Sequence, residues 1–188
     1  MTMTILIVIL VLVILIGIYV VLYNGLVQLR VHAQESWSQI DVQLQRRNDL
    51  IPNLVSTVKG YSKYEASTLE KVTQLRTALN NVPDDDHAQK MAVSNELTGT
   101  LRTLFAVSEN YPDLKASTEY QQLMEEISNT ENKIAYSRQL YNSTVAALDA
   151  KIQTFPSNLV AKLHHFTPME YLQVPDDAKQ TPKVSFDD

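Results

Sequence analysis

The 188 residues carry 45% apolar and 20% charged side chains with a formal charge of −5, the size and composition of one core-forming unit. The acidic balance, without a basic run or aromatic-basic interleaving, excludes a nucleic-acid footprint. Four glycines leave almost no room for phosphate-cradling loops, and the chain has no G-x-S-x-G, P-loop, H-E-x-x-H or cysteine pair.

The first element in chain order is the uncharged run "ILIVILVLVILIGIYVVLY", from Ile5 to Tyr23. At 1.5 Å per residue it matches a hydrocarbon layer about 30 Å thick, which predicts a transmembrane helix in contact with lipid through residues 5–23. A cleaved signal peptide would need a basic n-region, a shorter apolar core and small residues before the cut, and "MTMT" and "NGLVQLR" supply none of these. Basic residues resist translocation, and Arg30, then Arg46 and Arg47, all follow the run. The expectation is a single-pass anchor with its N-terminus outside and its body in the cytoplasm.

From Asn24 to about Asn80 a heptad pattern holds. One seam runs through Leu26, Ala33, Ile40, Arg47, Leu54, Tyr61, Thr68 and Leu75, the other through Arg30, Trp37, Leu44, Ile51, Val58, Glu65, Val72 and Leu79. Pro52 falls inside it, removing one backbone donor and crowding the carbonyl of Asn48. The apolar phase is kept on both sides of the proline, so the pattern predicts one kinked, continuous helix rather than a break. Arg46, Asn48 and Asp49 are then free to bond the kinked backbone or a neighbouring helix. Arg47 and Glu65 are polar residues in apolar seams. They are read as snorkelling to water from a helix edge, with register-fixing charges as the other possibility.

"NNVPDDD" reads as a turn whose aspartates suit a helix N-terminus, opening a second helix from about Asp85 to Asn110. Pro112 closes it. Ser117 or Thr118 caps a third helix, with Thr118 and Gln121 at capping-box spacing, that continues to Pro156. "SNLVAKLHHF" forms one short helix, and from Thr167 the chain is expected to be irregular, ending in an extended "KVSF". The fold class is therefore all-α. An N-terminal transmembrane helix (1–23) continues into an elongated up-and-down bundle (24–166) of three long helices and a short C-terminal one, followed by a tail (167–188).

Helix one would be roughly 85 Å long after the membrane and helix two roughly 38 Å, too short to turn back over its membrane-proximal part. Trp37, Ile40 and Leu44 are thus expected to be uncovered within the chain and to form a homo-oligomer interface, favoured by the shared membrane. Glu109, Glu131, Asn132, Arg138 and Asn142 are read as solvated faces or an inter-helix network, and the tyrosines as core or core-edge aromatics. No metal or cofactor site is expected: His164 and His165 point in different directions on a helix, and His32 and His87 stand alone.

The segments "YNGLVQLR", "SWSQIDVQLQRRNDLIPNLVSTVKGYSKYEASTLEKVTQLR", "LFAVSENYPDLKAS", "SNTENKIAYSRQLYNSTV" and "FPSNLVAK", in this order and spacing, resemble the LemA family over nearly the whole chain. The resemblance implies a protein of the bacterial cell membrane with an N-out anchor, a cytoplasmic helical bundle and no established catalytic residues. It departs at "HHF", where the family tends to be richer in glycine. The reading that follows is a self-associating, non-catalytic scaffold or adaptor that displays its bundle to protein partners. The alternative is an enzyme or regulatory subunit of an envelope or membrane-proteolysis process.

Overall fold

Apolar side chains three and four residues apart bury one stripe per helix, and this pattern organises residues 2–61 and 66–173, the part of the chain that the computed structural model describes. Its regular elements are α1 (Thr2–Tyr61), α2 (Ala66–Asn80), α3 (His87–Ser108), α4 (Pro112–Ala116), α5 (Thr118–Gln153) and α6 (Ser157–Leu163). No strand occurs among the described residues, and the all-α reading holds. The contacts divide the chain into two units, one joining the chain up to Gln39 with Ser137–Tyr171, the other containing Ile40–Tyr136. Helices α1 and α5 contribute to both.

In the second unit, Ile51, Leu54 and Val58 of α1 share a core with Leu69, Val72, Leu75 and Leu79 of α2. Leu97, Leu101 and Leu104 of α3, Leu114 of α4, and Tyr120 and Ile127 of α5 complete it. Helix α1 continues through Pro52, as the unbroken heptad phase requires. The expected single helix to Asn80 does not form. The Asn48 side-chain amide donates to Asn80 Oδ1 at 2.6 Å, so α2 returns antiparallel along α1. Heptad phase persists across the reversal because both helices bury their seams in one core.

Helix α3 runs parallel to α1 and is capped as its sequence requires, Asp86 Oδ1 accepting from the Gln89 amide at 2.9 Å. Helix α5 runs antiparallel to both, completing an up-and-down arrangement. Its start follows the sequence reading in part: Ser117 is the cap, but the capping box does not close. Ser117 Oγ receives the Tyr120 amide at 3.4 Å, while Gln121 Nε2 donates to the Lys115 carbonyl at 2.8 Å instead of closing a capping box with Thr118.

In the first unit, residues 2–21 of α1 are exposed along their whole length. With a mean hydropathy of 3.6, this part of α1 is long and apolar enough to cross a membrane. Beyond it, Leu26 packs with Leu148 of α5, with Val160 and Ala161 of α6, and with Phe166. Ser157 joins α5 to α6, its hydroxyl lying 2.6 Å from the Lys151 carbonyl and 2.9 Å from that of Thr154, partners for α5's final orphan acceptors.

The C-terminus of α6 explains "HHF". The Phe166 amide donates to the Ala161 carbonyl at 2.9 Å and the His165 amide to that of Lys162 at 3.4 Å. These are the two bonds of a Schellman cap. His165 occupies the left-handed position of that cap, with φ of 54°, where glycine fits without strain. Past α6 the chain is irregular: Tyr141 donates to the Glu170 carbonyl at 3.2 Å and Leu172 is buried, while Thr167, Pro168, Tyr171 and Gln173 are exposed. Glu65 and the "KVSF" stretch lie outside the described residues.

A left-handed residue with a Cβ costs about 1 kcal/mol relative to glycine. His165→Gly is therefore expected to raise the stability of the detergent-solubilised chain by about that amount. The denaturation midpoint followed by circular dichroism checks this, and a lowered midpoint would contradict it.

Candidate functional site

Proline has no amide hydrogen, so Pro52 leaves the carbonyl of Asn48 without its helical donor. Helix α2 supplies the replacement: Arg76 Nε donates to that carbonyl at 3.2 Å. One turn further along α2, Asn80 meets the Asn48 side chain. Of the residues expected to bond the kinked backbone or a neighbouring helix, Asn48 thus bonds a neighbouring helix. Arg46 is exposed, and Asp49, also exposed, accepts from Gln45 at 2.9 Å.

Beside this joint lies Arg47. The expectation that it snorkels to water is overturned: its relative exposure is 0%. Its guanidinium donates to Thr98 Oγ1 at 2.9 Å and to Ser94 Oγ at 2.8 Å. It also pairs with the Glu131 carboxylate, whose other oxygen lies 3.0 Å from Thr98 Oγ1. Three helices thus meet at one cation. A buried charge costs several kcal/mol unless it is paired and hydrogen-bonded, and α3 and α5 supply those partners. Arg47 Nε and Asn48 Oδ1 have no hydrogen-bond partner, so the joint is not tuned for maximal stability.

Trp37, Ile40 and Leu44 also correct the sequence reading. Their exposures are 8%, 0% and 2%, so the chain covers them itself. In the first unit Tyr141 of α5 meets Trp37 edge-on, with ring centroids 6.3 Å apart. The expectation of a bare stripe failed because it gave α1 the length that belongs to α2, and because it left out α5 as a cover.

A second buried cation closes the end of the bundle where α3 begins. Lys90 Nζ lies 2.8 Å from Asp41 Oδ1 and 2.8 Å from Asp84 Oδ1. Burial disfavours its ammonium, but the hydrogen bonds and charges of the two aspartates prevail and raise its pKa. The Lys90 hydrogen bond and charge hold the Asp84 carboxyl below its ordinary value. His87 is shifted down, first by burial and then by the Lys90 charge. The cleft here, lined by Asp41, Leu44, Gln45, Asn48, Leu79, Asn80, Val82, Asp84 and Lys90, has a volume of about 120 Å³. Sites for organic ligands need roughly 300 Å³ or more.

Two larger clefts are open surface features with committed polar groups. In one, of about 510 Å³ between α2 and α3, Lys71 and Glu96 pair at 3.0 Å and the hydroxyls of Thr100 and Thr103 bond helix carbonyls. In the other, of about 340 Å³, His32 pairs with Glu35 at 2.9 Å while Ser36 donates to the His32 carbonyl at 2.8 Å instead of to its ring. Neither arrangement offers a nucleophile-base pair. Among the described residues, no three His, Cys, Asp or Glu side chains gather as metal ligands.

Sequence reasoning named Arg47, Asn48 and Glu131 but missed Ser94, Thr98, Arg76 and Asn80. The signal was present as two pairs of polar residues at i,i+4, Ser94 with Thr98 and Arg76 with Asn80, beside the apolar seams of α3 and α2.

The LemA family model matches residues 36–186. The chain is 33% identical over 151 residues to Protein LemA of Metamycoplasma hominis, covering 78% of this chain and 68% of that one. It is 23% identical over 173 residues to Magnetosome protein MamQ of Magnetospirillum gryphiswaldense, with coverages of 79% and 64%. Against Magnetosome protein MamQ 2 of Paramagnetospirillum magneticum the identity is 25% over 175 residues, with coverages of 80% and 64%. The chain thus spans less than two thirds of the length of the MamQ proteins it matches.

Removing one partner of a buried ion pair costs about 3 kcal/mol or more, whereas an apolar replacement of both partners costs far less. Glu131→Ala is expected to destabilise the chain by about 3 kcal/mol, and Arg47→Met with Glu131→Leu by less than half of that. Urea unfolding of the single and double variants checks this; a double variant as unstable as Glu131→Ala would contradict it.

Proposed function

Because the chain belongs to the LemA family, we propose that it is a membrane-anchored helical scaffold that presents its bundle to protein partners and performs no catalysis of its own. Residues 5–23 hold it in the lipid of a bacterial cell membrane, with the N-terminus outside and the body in the cytoplasm. The observation that carries this reading is the use of the buried polar cluster at Arg47. Arg47, Glu131, Thr98 and Ser94 are bonded to one another between helices, where they brace α1, α3 and α5 rather than face a substrate.

Orientation rests on the basic residues Arg30, Arg46 and Arg47, all on one side of the apolar run. Neither the LemA nor the MamQ relatives bear an enzyme's name. Self-association remains part of the proposal through the high local concentration that a shared membrane gives, not through Trp37, Ile40 and Leu44, which are already covered. The partner-facing surface is the exposed side of the bundle, which includes Val42 and Tyr136.

Photocrosslinking side chains placed at Val42 and Tyr136 in native membranes are expected to give adducts of discrete mass containing protein, either a second copy or another chain. Recovery of the chain with no protein adduct from either position would contradict the scaffold reading.

A further inference from the structure

The end of the first unit next to the apolar run carries large side chains that no described part of the chain covers. Phe155, Leu159 and Leu163 are 74%, 61% and 65% exposed. Leu159 and Leu163 are one turn apart on α6 and so share a face, opposite the buried Val160 and Ala161.

What lies beside this face is fixed by contacts within the unit. Helix α5 runs toward the apolar run: Tyr141 meets Trp37, and the Lys151 side chain lies over Gly25, where an added Cβ would collide with Nζ. The chain then turns into α6, whose cap residue His164 lies with Nε2 2.5 Å from the Tyr19 hydroxyl. The His164 ring also lies 4.6 Å from that of Tyr23. Tyr19 sits one turn, about 6 Å, inside the end of the apolar run at Tyr23. Residues adjoining His164 are therefore held at the depth where the run gives way to head groups.

The chemistry at this level suits such a boundary. Tyr19 and Tyr23 are amphipathic aromatics of the type found in interfacial belts. Arg30 lies 4.9 Å over the Phe166 ring. With Lys151 and Lys162 it places cations around the apolar face, and acyl chains below anionic head groups complement that pattern.

We propose that the Phe155–Leu163 segment is a second membrane contact, an interfacial foot that seats Phe155, Leu159 and Leu163 in the lipid surface beside the anchor. This rests on the reading of residues 5–23 as a membrane span. The foot fixes the rotation of α1 about its axis, because His164 and Phe166 clasp one side of that helix.

The chain contains no cysteine, so single substitutions place one fluorophore each. The full chain carrying Leu12→Cys, Leu159→Cys, Leu163→Cys or Ser143→Cys is labelled with an environment-sensitive dye. It is reconstituted into phosphatidylcholine–phosphatidylglycerol vesicles whose lipids bear a nitroxide high on the acyl chain. For probes seated about 5–10 Å into the boundary, emission at positions 159 and 163 is expected to fall by about half or more. The probe at 12 is also quenched, and the probe at the exposed, membrane-distal 143 is not. Quenching at 12 with positions 159 and 163 behaving like 143 would overturn the foot and leave the anchor standing. The same lipid result with 159 and 163 shielded from aqueous iodide would overturn it in favour of a covering protein. Loss of quenching at 12 would remove the anchor and the foot together.

Discussion

A carbonyl without a donor is the constraint from which the bundle's arrangement follows. Pro52 sits inside α1 and cannot close the bond to Asn48, yet Asn48 is itself buried, at 2% exposure. An unpaired acceptor there would cost about 1–3 kcal/mol. Arg76 meets that demand from α2, and Asn80 adds a second bond one turn away. The hairpin of α1 and α2 is thus defined by a polar register as well as by its leucines and valines. Apolar seams alone tolerate a slip by one turn; a single carbonyl does not.

The neighbouring Arg47 extends the same logic to α3 and α5. A guanidinium removed from water must be met by acceptors at defined positions, and Ser94, Thr98 and Glu131 provide them. Replacing such a cluster with apolar side chains often leaves stability unchanged. Its consequence in this bundle is geometric: the three helices must pack in one rotation about their axes. At the start of α3, Lys90 between Asp41 and Asp84 repeats the device at a more exposed site.

Fold class was legible because periodicity of three and four survives in single sequence, and the turn at "NNVPDDD" declared itself through proline and aspartate. The α1–α2 reversal was not legible. Both helices keep one heptad phase, and nothing in that phase distinguishes a straight helix from a hairpin whose arms share a core. That error propagated: a helix too long left Trp37, Ile40 and Leu44 without cover, and an interface was read where the chain buries itself. Arg47 was singled out correctly as a seam charge but assigned to water. Its acceptors lie 47 and 84 residues away in sequence, at Ser94 and Glu131, and no local pattern pairs them. The Schellman cap after α6 was hidden for a different reason, because His165 occupies a position that glycine usually signals.

The link between Pro52 and Arg76 holds the hairpin in register, and a double-mutant cycle measures it most directly. In the native background Arg76→Ala removes the donor to the freed carbonyl and is expected to cost about 1.5 kcal/mol in urea unfolding. With Pro52→Ala the amide of residue 52 can take that carbonyl back into the helix, so the same substitution should cost less than about half as much. An equal loss in both backgrounds would contradict this link and mean that α2 is placed by its apolar seam alone.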